Sequence, residues 1–133
     1  MKKIFLLLAL IIAVPAFAAE VARIEPKEAA RLVAEGKAVL VDVREPAEWT
    51  ETGVVAPANL VPKSDFDGPQ KLWKPFLEKT AGKQLILYCR SGRRSGQVAA
   101  ALQEKGWPVA NAGGLKDWQA AGLPVRRADE PRK

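Results

Sequence analysis

Leu85-Ile86-Leu87-Tyr88-Cys89-Arg90-Ser91-Gly92-Arg93-Arg94-Ser95 is an apolar run that breaks, at the chain's single cysteine, into a basic loop containing a glycine. Leu85 to Tyr88 predicts a strand buried on both faces, because a strand with one wet face would alternate apolar and polar residues. Arg94 to Lys105 predicts a helix, with Val98, Ala99, Ala101 and Leu102 toward the core. The flanking sequence continues the alternation. Pro26 to Glu35 has the first-turn proline and apolar stripe of a helix, and Gly36 ends it. Ala38 to Val43 is a second buried strand, and Glu45 to Trp49 starts a short helix. Ala58 to Val61 is a short strand stopped by Pro62. Phe66 to Lys79 is a polar loop followed by helical spacing, which Pro75 kinks or splits. Val109 to Asn111 is a short strand, Gly113-Gly114 a turn, and Leu115 to Ala121 a last helix. Strands alternating with helices in one short chain imply an α/β domain: an open, mainly parallel sheet flanked by helices on both faces.

The ends bound the domain. Met1-Lys2-Lys3, the apolar run Ile4 to Val14 and the small residues of Ala16-Phe17-Ala18 have the layout of a secretory leader. The alternative is a retained membrane anchor, but the run is shorter than the roughly 20 residues that span a bilayer. No cysteine follows it to carry a lipid. The division expected is a cleaved leader over residues 1–18, a domain over 19–125 and a loose tail over 126–133, with no stable membrane anchor. Losing Lys2 and Lys3 lowers the formal charge from +6 to +4, with no long basic run, so a solvated surface is expected and no nucleic-acid partner.

There is no histidine, which excludes Ser-His and Cys-His nucleophile pairs. One cysteine cannot supply a zinc site, so neither metal nor cofactor is expected. A lone thiol in an exported chain is either inert and buried or functional. Its position favours function. In parallel sheets ligands bind past the carboxyl ends of the strands, where Cys89 lies. A loop running into a helix start offers free N–H groups and partial positive charge, and three arginines add fixed charge. The competing reading is a buried structural cysteine beside surface arginines. Structural thiols sit in apolar settings instead.

The same loop favours a thiolate, but thiolate formation is a small part of its use. Lowering a thiol's pKa by about two units raises the thiolate fraction at pH 7 roughly 24-fold. Nucleophilicity falls roughly 8-fold over the same change, leaving about a threefold gain. Binding an anionic substrate and stabilising an anionic leaving group are therefore the larger tasks expected of Arg90, Arg93 and Arg94.

Four stretches resemble the rhodanese family. They are Val41-Asp42-Val43-Arg44-Glu45-Pro46 with Glu48-Trp49, then Gly53 through Ala58 to Pro62, then Tyr88 to Ser95. The fourth is Gly113-Gly114-Leu115-Lys116-Asp117-Trp118 with Ala121-Gly122-Leu123-Pro124-Val125. Two positions depart: Val54 where the family often has histidine, and Pro57 where glycine is common. With its leader, its single domain and Asn111-Ala112-Gly113-Gly114-Leu115-Lys116-Asp117 the chain resembles the periplasmic rhodaneses of the phage-shock type. The resemblance implies a rhodanese-like fold and thiosulfate sulfurtransferase activity in the periplasm by a monomer. Cys89 would take the outer sulfur of thiosulfate, release sulfite, and pass the sulfur as a persulfide to cyanide or a thiol. Arg90, Ser91, Gly92, Arg93, Arg94 and Ser95 would bind substrate, and Asp42 and Arg44 would support the loop or form a plain structural ion pair.

Rival functions share the loop. A cysteine phosphatase or arsenate reductase usually places arginine six residues after cysteine; here that residue is Ser95, and Arg94 comes one earlier. A non-catalytic module of the same fold usually lacks the cysteine. A sulfur-relay or thiol-redox protein would use the same persulfide with a protein partner.

Overall fold

The computed structural model describes residues 20–133, so the expected leader over residues 1–18 lies outside the described residues. Twelve elements are ordered α1 (Pro26–Ala34), β1 (Ala38–Asp42), α2 (Pro46–Thr52), β2 (Val54–Val55), β3 (Asn59–Leu60), α3 (Lys63–Asp67), α4 (Trp73–Lys79), β4 (Gln84–Cys89), α5 (Arg93–Glu104), β5 (Val109–Gly114), α6 (Leu115–Ala120) and β6 (Val125–Arg126). The central sheet has the strand order β3-β1-β4-β5, and every pairing in it is parallel.

The continuous apolar strands bury both faces because alternate residues point opposite ways. Leu40, Ile86, Tyr88, Ala110 and Ala112 face one side, where Ala29 of α1 and Leu115 and Trp118 of α6 cover them. Val41, Leu85, Leu87, Cys89 and Val109 face the other, against Trp73 of α4 and Val98, Ala99 and Leu102 of α5. Cys89 is thus the last inward residue of a central strand, directly under α5.

Three sequence expectations change. The break in the 66–79 region is not at Pro75. Helices α3 and α4 are separate, and the Asp65 carboxylate accepts from the backbone N–H groups of Lys71, Leu72 and Trp73 at 2.9, 2.9 and 3.0 Å. Pro75 is the third residue of α4, where its missing N–H costs nothing. Gly113-Gly114 belongs to β5 rather than to a free turn.

The third change is at the chain's end. Residues 126–133 are not a loose tail. β6 pairs antiparallel with β2, in which Val54, the residue where the family often has histidine, is fully buried. Arg126 is itself buried: its guanidinium donates to the carbonyls of Ala56 and Ala58, each at 2.9 Å, and of Glu130 at 2.8 Å. The Lys133 N–H donates to the Ala56 carbonyl at 3.1 Å. A charged residue at the end of a chain reads as solvent-exposed in sequence; enough carbonyls gathered around one guanidinium reverse that, since a buried charge needs its donors satisfied. Two-residue strands are also too short to show any period.

Candidate active site

Strand β4 ends at Cys89 and helix α5 starts at Arg93, so residues 90–92 make the whole turn between them. Gly92 makes it possible, at φ +95. That left-handed conformation suits glycine. A side chain there would also press on the Gly113 backbone at 3.3 Å. The turn folds back so that the Gly92 N–H donates to Cys89 Sγ at 3.1 Å, and the Ser95 hydroxyl lies 3.4 Å from the same sulfur. Both Cys89 and Ser95 are fully buried.

Burial by itself pushes the Cys89 thiol up. Hydrogen bonds from the Ser95 hydroxyl and from the N–H groups of Ser95, Ser91 and Gly92 outweigh it and hold the thiol below its ordinary value. The principal lowering influences are thus the loop's own donors, as expected at a helix start. This agrees with the small part that the arginines' charges need play in activating the sulfur.

The three arginines differ. Arg90 and Arg93 are exposed. Arg94 is partly covered and forms a two-pronged pair with Glu48 of α2, at 2.6 and 2.8 Å. That hydrogen bond is the main reason the Glu48 carboxyl falls from 4.5 to about 2. Arg94 therefore enters the site with its charge already partnered, while Arg93 does not show such a pair.

Asp42 and Arg44 lie as deep in the domain as Cys89 itself. Both are buried, with Arg44 Nη2 donating to Asp42 Oδ2 at 2.8 Å. Arg44 also reaches the end of α2, donating to Thr52 Oγ1 and to the Gly53 carbonyl, each at 2.8 Å. The Tyr88 hydroxyl accepts from the Val55 N–H at 2.9 Å, and the Arg44 guanidinium lies 6.0 Å from the centre of its ring. The pair does not touch the sulfur. It fixes α2, and α2 presents Glu48 to Arg94.

Two residues at the site stood in the sequence only as members of longer stretches, with no role of their own. Glu48 belonged to a helix start and to the first stretch of the resemblance, and it does close a capping box with Glu45. Asn111 ended a short apolar strand and headed the stretch that runs to Asp117. It is buried, and its side chain lies beneath the loop, donating to the Gly92 carbonyl at 2.8 Å and accepting from Ser95 Oγ at 2.8 Å and Gly113 N at 3.1 Å. An uncharged polar residue in an otherwise buried strand was the available clue.

The end of β5 also bounds the loop. The β4–β5 register shifts between Leu87 and Cys89, bringing Gly114 opposite Cys89. A Cβ on Gly114 would stand 2.0 Å from the Arg90 carbonyl oxygen. Backbone cannot yield cheaply, so Gly114→Ala is expected to displace the loop while the two core clusters stay intact. Misplacement of about 1 Å costs about 100-fold in rate. The check is the rate of Cys89 alkylation beside a thermal melt; unchanged reactivity in a folded variant would mean that the loop tolerates the shift.

A groove of about 430 Å³ opens beside Arg90, with Glu48, Glu51 and Lys116 among its walls. Among the described residues, no helix is long and apolar enough to cross a membrane.

Comparison with known proteins gives a consistent picture. The rhodanese-like domain profile matches residues 25–121. Thiosulfate sulfurtransferase PspE of Escherichia coli K12 is 32% identical over 117 residues, covering 87% of this chain and 90% of that protein. The probable adenylyltransferase/sulfurtransferase MoeZ of Mycobacterium tuberculosis is 35% identical over 104 residues, 76% of this chain but 25% of that protein. The chain likewise spans 54% of an uncharacterized Synechocystis relative. Among solved structures, a Rhodopseudomonas palustris protein of unknown function, described as a possible tyrosine phosphatase, superposes with a TM-score of 0.67 at 28% identity, over 80% of this chain and 85% of that one.

Proposed function

The chain belongs to the rhodanese-like family, and on that premise we propose that it is a periplasmic thiosulfate sulfurtransferase that carries sulfur as a persulfide on Cys89. The observation that carries this reading is the sulfur's setting: a buried Sγ receiving a backbone N–H at 3.1 Å, at the base of a loop with exposed arginines. The thiolate attacks the outer sulfur of thiosulfate. An S–S bond forms to Sγ, the bond to the sulfonate sulfur breaks, and sulfite leaves with the electron pair. Cyanide or a thiolate then attacks the outer persulfide sulfur and regenerates the Cys89 thiolate. No general base is required, since the loop's hydrogen bonds already favour the thiolate. Arg93, rather than Arg94, whose guanidinium Glu48 occupies, clamps the departing sulfite.

A phosphatase is the second reading, favoured by the same loop and by the description of the Rhodopseudomonas relative. Against it, Ser95 stands where the phosphate-gripping arginine would be, and its hydroxyl is turned to Sγ and Asn111. Assay of thiosulfate against an aryl phosphate separates the two. Thiosulfate turnover with ping-pong kinetics is expected, and negligible phosphate release. Arg93→Ala should lower kcat/KM for thiosulfate about 10- to 150-fold, the worth of one charge-assisted hydrogen bond. Its effect on alkylation of Cys89 by neutral iodoacetamide should be much smaller. Equal losses would place the arginine's action on the thiol instead.

Export is part of the same proposal. Its support is the charged start, the apolar run Ile4 to Val14 and Ala16-Phe17-Ala18. The mature protein is expected to begin at Ala19 on N-terminal sequencing; an intact Met1 in a membrane fraction would refute cleavage.

A further inference from the structure

Ser95 has one hydroxyl proton and two acceptors. Asn111 Oδ1 is 2.8 Å away and Cys89 Sγ 3.4 Å away. The amide cannot be turned over, because its nitrogen must donate to the Gly92 carbonyl and its oxygen must accept from the Gly113 N–H. Oδ1 has no proton to give. Two oxygens 2.8 Å apart need a proton between them and only Oγ carries one, so while that contact holds the Ser95 proton lies toward Asn111 and a lone pair of Oγ faces the sulfur; turning the hydroxyl makes the donation to Sγ at 3.4 Å instead. That suits a thiol, whose S–H donates to Oγ. It does not suit a thiolate, which needs the proton on Ser95 turned toward it.

We propose that Asn111 is a positioning residue that competes with Cys89 for the Ser95 proton, so that one hydrogen bond passes from Asn111 to the sulfur each time the thiolate forms and returns when the sulfur is capped. Two stages of a sulfur-transfer cycle would use the two arrangements. The free enzyme before attack carries Sγ as an anion, and the Ser95 hydroxyl turns to it. In the persulfide the charge sits on the outer sulfur, Sγ needs no donor, and the hydroxyl turns back to Oδ1. Asn111 thereby stabilises the capped form and limits how far the thiolate is favoured. The inference rests on Cys89 being the reacting sulfur, and not on which donor loads it.

The charged groups on the elements around the loop are Arg90, Arg93, Arg94, Glu48 on α2, the Asp42–Arg44 pair on β1 and Asp117 on α6. None changes in the variants below, so differences report the exchange. The measurement is the pH profile of Cys89 alkylation by iodoacetamide. Asn111→Leu removes the competing acceptor, and its midpoint should fall by about half to one pH unit, the size of one neutral hydrogen bond. Ser95→Ala should raise the midpoint, and by more when added to Asn111→Leu than when added to the native protein. A residue that merely held the loop in place would do the opposite: its loss would loosen the donors and the midpoint would rise. A rise or no change in a folded Asn111→Leu overturns the proposal.

A second measurement uses the native chain, in case that variant does not fold. As the Ser95 proton leaves Oδ1, the Gly113 N–H becomes the sole donor to it. The Gly113 amide resonance should therefore titrate with the alkylation midpoint, and this response should vanish in Ser95→Ala. A Gly113 resonance that stays still, or one that moves equally without Ser95, also overturns it. Alkylation and NMR read the thiol whether or not thiosulfate is a substrate. Failure of thiosulfate to load Cys89 would sink the sulfurtransferase reading and leave this one standing.

Discussion

Replacing Cys89 with serine should remove all turnover and all sulfur loading. In the native protein, thiosulfate should add one sulfur, about 32 Da, to the intact mass, and cyanide should remove it, because thiolates exchange at sulfur. The serine hydroxyl fits the same space, and its oxygen would accept from the same Gly92 N–H. It does not ionise near neutral pH, however, and the loop has no histidine to take its proton. The fold should survive, since Cys89 contributes one small apolar contact to a core shared with Leu87, Val98 and Leu102. Intact-mass spectrometry before and after thiosulfate, on both proteins, gives the answer. A mass increase in Cys89→Ser would move the chemistry elsewhere and end the proposed function.

Asp42→Ala should produce the largest loss of stability. Arg44 is 2% exposed and Asp42 0%, so removing the carboxylate leaves a guanidinium charge buried with only neutral partners. Breaking a buried pair from one side costs about 3–5 kcal/mol. Domains of this size have about 5–15 kcal/mol in total. The urea midpoint should therefore fall steeply at nearly constant slope. The double variant Asp42→Ala with Arg44→Ala should lose less than the two singles summed, because no orphaned charge remains. An unchanged midpoint in Asp42→Ala would show that the pair contributes nothing. Activity should drop too, for a positional reason: Arg44 anchors the end of α2, and α2 carries the Glu48 that orients Arg94.

How far the sequence revealed these parts depends on the kind of signal each leaves. The central sheet was legible because β1 and β4 are unbroken apolar runs, a pattern that only a two-faced strand produces. The loop was legible because cysteine, glycine and clustered arginine are chemically distinctive and adjacent in the chain. The pairing of Asp42 with Arg44 was half legible: the residues are two apart, at the end of β1 and in the bend after it, but their depth comes from Tyr88, Thr52 and Gly53 closing around them. Glu48 and Arg94 lie 46 residues apart, and nothing local links them. Asn111 gains its importance from the register shift that carries the end of β5 under the loop, and registers leave no mark on composition. Arg126 was misjudged for the same reason, since two of its carbonyl partners, Ala56 and Ala58, come from residues about 70 positions earlier.

That last contact bears on how the protein is made. Synthesis proceeds from the amino end, and the small antiparallel sheet cannot form until Val125 and Arg126 have been made. Until Arg126 docks, the carbonyls of Ala56 and Ala58 lack their guanidinium partner and Val54 and Val55 lack their neighbouring strand. Closure across so long a separation is slow compared with local helix formation. The domain is built to finish late, which leaves Val54–Val55 without a partner strand until residues 125–126 are in place. A tag or truncation that reaches into residues 125–133 would interfere with closure itself.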